Sequence, residues 1–487
     1  MKVGLLAFIL AVVAVAAVRT GAAGAGTDAP IPKVFISYEE AKPAIEATRP
    51  DLPEELARLD ADALAKAWPE WVKKRDAEIR ARLEQGDEDT LINLLLFGTS
   101  FTRAPRVTQE NLTRLAPQAQ AASSDPQLQA AAPWIAARIE DLLTGAAAPG
   151  ANQHLAFARG LLRLQGMDPG SPQGKARGRT FLQMQVNRVL SEQESYRQVI
   201  TAARELNDPF ERMMQRATLY RQRGLSLDSS LSPQFGLQRS FQELKDKGVF
   251  APGSVHHVAI IGPGLDFTDK SSGYDFYPPQ SIQPFAVMDG LLHSGLAAGG
   301  DLDVVTLDLS ARVNEHLLLA ARHARQASGY TVELPLPGYI PWSEGILSYW
   351  REFGSQIAAP VAPAAVPPEA GDVRIRAVRV RPKWVLRVRP LDVNAVLERP
   401  APGAGLPPFD VVIATNILVY YGVFEQSLAL TNISRTLRPG GILLTNDALL
   451  EIPAIPMRPI GHTAVVYSNR PDDGDHIIWF QALATQQ

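Results

Sequence analysis

Two glycines and an aspartate are the residues best suited to position a ligand. Gly262 and Gly264 directly follow the apolar run 258–261, a pattern typical of a buried parallel strand that ends in a tight turn. Asp308 ends a second apolar run, 302–307. A carboxylate at a strand end offers acceptor oxygens to both hydroxyls of a ribose. These residues predict a site for a nucleotide-like ligand, although their separation is roughly twice the usual spacing of about 20 positions.

An inserted loop accounts for most of that excess. Residues 265–281 are polar and aromatic and precede the next predicted helix, 282–296, whereas a strand-to-helix loop usually has about 2–6 residues. Long loops at the carboxyl ends of sheet strands often carry function. A surface insertion with its own packing is an equally open interpretation. The candidate polar contacts of this loop are Asp266, Asp269, Tyr274 and Tyr277.

The remaining sheet strands are predicted from similar patterns. Two buried runs, 409–414 and 442–445, flank one helix, and 463–468 with 476–483 form a hairpin around a Pro/Asp/Gly turn. The alternating segment 373–389 predicts one or two further strands with a basic face, and Asp392 follows it. Because strands and helices alternate, the expected fold class is α/β, a doubly wound and mostly parallel sheet with a terminal antiparallel hairpin.

Composition limits the classes of function. The chain has 487 residues, which favours two or three domains, and we assign 29–250 to an all-α domain and 251–487 to the sheet. A second insertion, 330–371, is rich in aromatic residues and could line a substrate pocket or pack on the helices. The absence of cysteine excludes disulfides, thiolate metal sites and cysteine nucleophiles. The net charge of −3 gives no electrostatic case for nucleic-acid binding, and no metal site is expected.

The N-terminus predicts export or anchoring. Lys2 precedes the apolar run 3–18, and small residues follow it. A positively charged beginning, a short apolar core and a following stretch of small residues are typical of a secretory signal peptide. We therefore interpret residues 1–28 as a signal peptide or an uncleaved anchor, with membrane anchoring through 3–18 only. The expected location is the cell envelope, or the cytoplasm if this interpretation is wrong.

The order of these pieces resembles the class I S-adenosylmethionine-dependent methyltransferases over residues 251–487. The resemblance is carried by the Gly262-Pro263-Gly264 strand, Asp308, Asp392, the run 409–421 (FDVVIATNILVYY), LRPGG before a strand, and the closing hairpin. NILVYY and the helix opening QPFAVMDGLL are similar to chemotaxis-receptor glutamate methyltransferases, although Gln283 stands where an acid is usual. The resemblance implies a Rossmann-like methyltransferase sheet and S-adenosylmethionine as the cofactor.

The resemblance also implies roles for individual residues. The cofactor-binding residues would be Gly262 and Gly264 at the methionine part, Asp266 near a third glycine position, Asp308 at the ribose, Asp392 with Val393 at the adenine, and Asn416 with Ile417 beside the methyl-transfer position. Catalysis would be mostly alignment, because the sulfonium is already a good leaving group. A base is needed only if the acceptor must lose a proton. The candidate bases are Tyr420, Tyr421, Glu344 and Asp447.

Two other interpretations stay open beside methyl transfer to an unidentified small molecule or protein. A nicotinamide-dependent oxidoreductase would share Gly-x-Gly and the strand-end acid, but Phe267 stands at the third glycine of the fuller motif. A non-catalytic methyltransferase-like binding or scaffold protein of the cell envelope is favoured by the N-terminal signal, since S-adenosylmethionine is not expected outside the cytoplasm.

Overall fold

The computed structural model describes residues 31–104, 126–205, 224–225, 229, 231–266, 274–336, 338, 340–470 and 473–484. The proposed signal or anchor, 1–28, lies outside the described residues, as do Phe267 and Asp269 of the first insertion. Within these ranges, no helix combines the length and the apolar character that a membrane span requires.

The helices are α1 (Tyr38–Ala47), α2 (Glu54–Ala57), α3 (Ala61–Phe97), α4 (Pro126–Ala147), α5 (Gln153–Leu164), α6 (Pro172–Glu205), α7 (Ser232–Asp246), α8 (Gln283–His293), α9 (Ala311–Arg325), α10 (Glu344–Glu352), α11 (Pro382–Val385) and α12 (Val423–Ser434). The strands are β1 (Lys33–Phe35), β2 (His257–Ile261), β3 (Asp303–Asp308), β4 (Tyr330–Leu336), β5 (Ala358–Val361), β6 (Arg374–Val380), β7 (Val388–Asp392), β8 (Glu398–Pro400), β9 (Phe409–Ala414), β10 (Leu437–Thr445), β11 (Met457–Val466) and β12 (Gly474–Ala482).

A seven-stranded sheet with the order β11-β12-β10-β9-β2-β3-β7 is the centre of the fold. The five strands from β10 to β7 are parallel, while β12 runs antiparallel to both β10 and β11. This confirms the predicted α/β sheet with a terminal antiparallel hairpin. Along the chain, the strands extend from β2 through β3 to β7 at one edge, and from β9 through β10 to the β11–β12 hairpin at the other. The order therefore reverses between β2 and β9, and open α/β sheets bind ligands at such a point, beyond the carboxyl ends of the strands.

The apolar runs form this sheet because both of its faces are covered. In β2, Val258 and Ile260 belong to one hydrophobic core, and Ala259 and Ile261 belong to the core on the other face. Strand side chains alternate between faces, so a strand that is buried on both sides reads as a continuous apolar run. That pattern made β2, β3, β9 and β10 predictable from sequence.

The alternating segment 373–389 forms two strands that belong to different sheets. Pro382 begins the short helix α11, which separates β6 from β7. β7 is the edge strand beside β3, whereas β6 is the middle strand of a small antiparallel sheet with β4 and β5. The predicted insertion 330–371 therefore supplies two strands of this small sheet, and the residues just after it supply the third.

The N-terminal region is helical with one amendment to the prediction. Its α3 to α6 segments share a core of their own, which includes Leu95, Leu142 and Leu162. The short strand β1, however, pairs antiparallel with β8 of the C-terminal half. Trp68 of α3 lies in the same core as the sheet, so the region is neither strictly all-α nor packed apart from the sheet. Strand β1 has only three residues, which are too few to give a periodic strand pattern in the sequence.

Candidate functional site

The glycine turn after β2 lies at the reversal point of the sheet. Gly262 and Gly264 have φ of +62° and +67°, a backbone region that side chains other than glycine rarely adopt. A Cβ built on Gly262 would lie 2.3 Å from Cδ1 of Ile417, which follows β9. The turn and the end of β9 therefore meet, and the absence of a side chain at Gly262 is what lets Ile417 pack against the turn.

Asp308 is brought to the same place from the neighbouring strand. Its buried carboxylate accepts a hydrogen bond from the Ser310 N–H at 2.8 Å, and the Gly264 N–H also faces it. Burial raises the pKa of Asp308 to about 7, and the two N–H groups oppose part of that rise. The structure thus places Asp308 and the glycine turn together, as the sequence predicted from the strand ends.

Asp392 ends the adjacent strand but is already held by cations. It lies opposite Asp308 in the β3–β7 register. Its carboxylate accepts from Nη1 of Arg80 at 2.7 Å, and Nζ of Lys33 lies 3.8 Å away. The Asp392 side chain is still 56% exposed, whereas the following Val393 is buried. An adenine-binding role for Asp392 would have to share this carboxylate with Arg80.

Helix α3 lies along the carboxyl edge of the sheet, which the sequence did not indicate. Arg75 pairs with Glu425 at 2.7 Å, and Arg82 donates to the carbonyl oxygen of Tyr420 at 3.1 Å. The Arg82 guanidinium also lies 5.8 Å from the ring centroid of Tyr421. Each contact joins residues more than 300 positions apart in the chain. No local pattern could have revealed them, because helix arginines usually face water.

The candidate bases differ in their surroundings. Burial raises the pKa of Tyr421 far above its usual value, so this phenol is a poor base near neutral pH. Glu344 is 78% exposed and pairs with Arg351 within α10. Asp447 follows β10 and is buried, and burial raises its pKa to about 7. Among the described residues, no hydrogen-bond partner is present for its Oδ2 atom. The raised pKa of Asp447 is in the range that suits proton transfer near neutral pH.

The Asp266 carboxylate forms hydrogen bonds within the inserted loop. Its Oδ2 accepts from the Tyr277 hydroxyl at 3.1 Å and from Nε2 of Gln280 at 2.8 Å. The backbone N–H of Asp266 also donates to Gln280 at 2.6 Å. Asp275 of the same loop accepts from the backbone N–H groups of Thr99 and Ser100, just beyond α3. The loop is thus tied to the helical region, and the carboxylate of Asp266 is engaged in its own network.

The ends of β9 and β10 are joined by two asparagines. Asn416 has φ of +60°, in the left-handed region. Its backbone N–H donates to Oδ1 of Asn446 at 2.7 Å, and Nδ2 of Asn446 donates to Oδ1 of Asn416 at 2.6 Å. Non-glycine residues in strained conformations tend to cluster at functional sites. Asparagine tolerates this region better than most residues do, which is the only sequence signal for it.

A small cavity lies at the opposite edge of the sheet. It has a volume of about 140 Å³ and is lined by residues at the amino ends of the strands, among them His257, Asp303 and Arg387. Ligands of open α/β sheets bind at the carboxyl ends, so this cavity does not compete with the site at the reversal point. In the described part of the chain, no cluster of three His, Asp or Glu side chains is placed to hold a metal ion.

Comparison with known proteins gave structural likenesses only. No family model matches the sequence, and no curated protein matches it. The chain is similar to TrmN from Thermus thermophilus (TM-score 0.23, 13% identity, 54% of this chain and 53% of that one). It is also similar to the N-methyltransferase NodS from Bradyrhizobium japonicum WM9 in complex with S-adenosyl-L-homocysteine (TM-score 0.26, 11% identity, 58% of this chain and 98% of that one).

A third similar structure is a TehB-like SAM-dependent methyltransferase from Corynebacterium glutamicum (TM-score 0.22, 10% identity, 51% of this chain and 98% of that one). The match to TrmN spans only about half the length of that protein. The fold class of this chain rests on its own strand order.

Proposed function

We propose that the crevice between β2 and β9 binds S-adenosylmethionine and that the protein transfers its methyl group to an acceptor, a small molecule or a protein. The observation that supports this most is the meeting of Gly262, Gly264 and Asp308 at the point where the strand order reverses. These residues fit the ligand chemically. Two of the three turn residues lack a side chain, which lets backbone approach a ligand closely, and the carboxyl of Asp308 can accept hydrogen bonds from ribose hydroxyls.

The protein's own part in such a reaction is alignment. S-adenosylmethionine, when bound, supplies a methyl group on a sulfonium sulfur that leaves readily. Gly262 and Gly264 would let the backbone approach the ligand, and Asp308 would fix the ribose. Positioning of this kind can supply a large share of a rate enhancement, provided the attacking atom lies in line with the bond that breaks. The role of Asp308 strengthens as pH rises through about 7, where its carboxyl becomes charged.

A second candidate function is a non-catalytic binding or scaffold protein. It is favoured by the engagement of Asp392 with Arg80 and Lys33, and by the packing of α3 along the edge where the ligand would enter. Export or anchoring through residues 1–28 would support the same interpretation, because the ligand would be scarce there. A nicotinamide-dependent oxidoreductase is the third candidate and shares the same crevice.

Replacing Gly262 with alanine is expected to weaken binding of S-adenosylhomocysteine by about tenfold or more, since each 1.4 kcal/mol lost is about a factor of ten. A Cβ at this position would lie 2.3 Å from Cδ1 of Ile417, so the turn or the end of β9 would have to shift at the proposed crevice. The measurement is equilibrium dialysis of the full-length variant.

Gly253→Ala is the matched control for this test. Gly253 has φ of +71°, so alanine meets similar backbone strain there, but no atom lies within 4 Å of the added Cβ. Unchanged binding in the control and weakened binding in Gly262→Ala would support the crevice. Equal binding in both variants would place the ligand elsewhere.

A further inference from the structure

The hydrogen bonds between Asn416 and Asn446 fix the orientation of both side-chain amides. A backbone N–H can only donate, so the Asn446 atom that faces the Asn416 N–H must be the oxygen, Oδ1. The other end of the Asn446 amide is then Nδ2, which can only donate. The Asn416 atom that receives this bond must be its own oxygen. The amide orientations, which are otherwise assigned rather than observed, thus follow from one unambiguous donor.

This orientation directs the Asn416 NH₂ group away from Asn446 with both of its hydrogens available. Asn416 is exposed, and among the described residues no hydrogen bond from its Nδ2 is present. The next residue, Ile417, contacts the glycine turn at Gly262. A pair of N–H donors therefore stands at the rim of the crevice, on a residue held at a φ of +60° that disfavours side chains.

Hydrogen-bond chemistry indicates which part of the ligand these donors would meet. The Asn416 NH₂ can only donate, whereas the carboxyls of Asp308 and Asp392 at the ends of β3 and β7 offer acceptor oxygens. Ribose hydroxyls can donate to that acceptor side, and a carboxylate cannot. An ionised carboxylate is the strongest hydrogen-bond acceptor that S-adenosylmethionine carries, so its amino-acid end fits the donors on the β9–β10 side.

We propose that Asn446 is a positioning residue that aims the Asn416 amide at the carboxylate of the amino-acid end of the methyl donor. This inference rests on the proposed function and assigns one end of the ligand to the β9–β10 side of the crevice. Asn446 acts through Asn416 and does not itself touch the ligand. The left-handed conformation of Asn416 is what carries its side chain to this place.

The test compares two ligands that differ in the amino-acid end. S-adenosylhomocysteine carries the carboxylate, and 5′-methylthioadenosine lacks the whole amino-acid end. In the full-length protein, Asn446→Ala and Asn416→Gly are each expected to weaken S-adenosylhomocysteine binding by about tenfold, the scale of one lost charge-assisted hydrogen bond. Binding of 5′-methylthioadenosine is expected to stay unchanged. Glycine adopts the left-handed conformation readily, so Asn416→Gly removes the amide without adding backbone strain.

Three results would overturn the inference. An equal loss for both ligands would show a purely structural role for the asparagine pair, and no loss for either would show that the amide touches neither. In both cases the proposed methyl-donor site would stand, because the wild-type protein still binds S-adenosylhomocysteine. A wild-type protein that binds neither ligand would overturn the proposed function and this inference with it.

Discussion

Replacing Gly86 with alanine is expected to destabilise the folded protein by about 2–4 kcal/mol, the range of severe packing errors. Gly86 lies inside α3, where alanine would ordinarily stabilise by about 0.5–1 kcal/mol. Here an added Cβ would lie 1.9 Å from the backbone oxygen of Leu225 and 2.7 Å from its carbonyl carbon. A backbone oxygen cannot rotate away as a side chain can, so α3 and the segment at Leu225 would have to separate.

Gly160→Ala is the control for this prediction. Gly160 lies inside α5, and no atom stands within 4 Å of the Cβ it would gain. Alanine there is expected to leave stability unchanged or raise it slightly. Urea unfolding of both full-length variants measures the difference. If the two substitutions have the same effect, the close contact between α3 and Leu225 does not exist in solution.

Replacing Asp447 with asparagine is expected to stabilise the protein at pH 8 and to change little at pH 4. Burial raises the pKa of this carboxyl from 3.8 to about 7 in the folded state. The folded protein then holds a proton more tightly than the unfolded chain between these values, so wild-type stability falls as pH rises from about 4 to 7. At about 1.4 kcal/mol per pKa unit, the difference amounts to roughly 4 kcal/mol above pH 7.

Asparagine has nearly the same shape and cannot ionise, so the variant avoids this cost. The measurement is the melting temperature of both proteins between pH 4 and pH 8, with the exposed Asp372→Asn as the control. The gap between wild type and Asp447→Asn should widen as pH rises, while the control follows the wild type. A gap that is constant with pH would show that the Asp447 carboxyl titrates normally. Asp308, whose pKa is raised in the same direction, leaves some pH dependence in every variant.

Strand positions were largely predictable from the sequence, for a local physical reason. A strand buried on both faces must be apolar at every position, and β2 and β9 read that way without knowledge of their neighbours. Parallel strands place their carboxyl ends at one edge, so Gly262, Gly264 and Asp308 could be expected to meet. In the structure, the Gly264 N–H faces the Asp308 carboxyl, and Gly262 lies against Ile417.

Long-range packing was not predictable from the sequence. Arg80 and Asp392 are 312 positions apart, and neither residue type signals the other. Glycine is unfavourable inside a helix, and only the close backbone of Leu225 explains why Gly86 lies in α3. The alternation in 373–389 predicts one or two strands with a basic face, but not that the turn into α11 at Pro382 assigns two strands to different sheets. In each case the deciding partner is distant in the chain.

Calorimetric titration of the full-length protein with S-adenosylmethionine and S-adenosylhomocysteine tests the central claim most directly. The proposed function predicts micromolar binding that is lost in Asp308→Ala and kept in Asp303→Ala, since Asp303 stands at the opposite end of the same strand and pairs with Arg387. No binding by the wild-type protein would contradict the methyltransferase proposal and favour a non-catalytic protein that has the fold without the ligand. Binding of a nicotinamide dinucleotide in its place would favour the oxidoreductase.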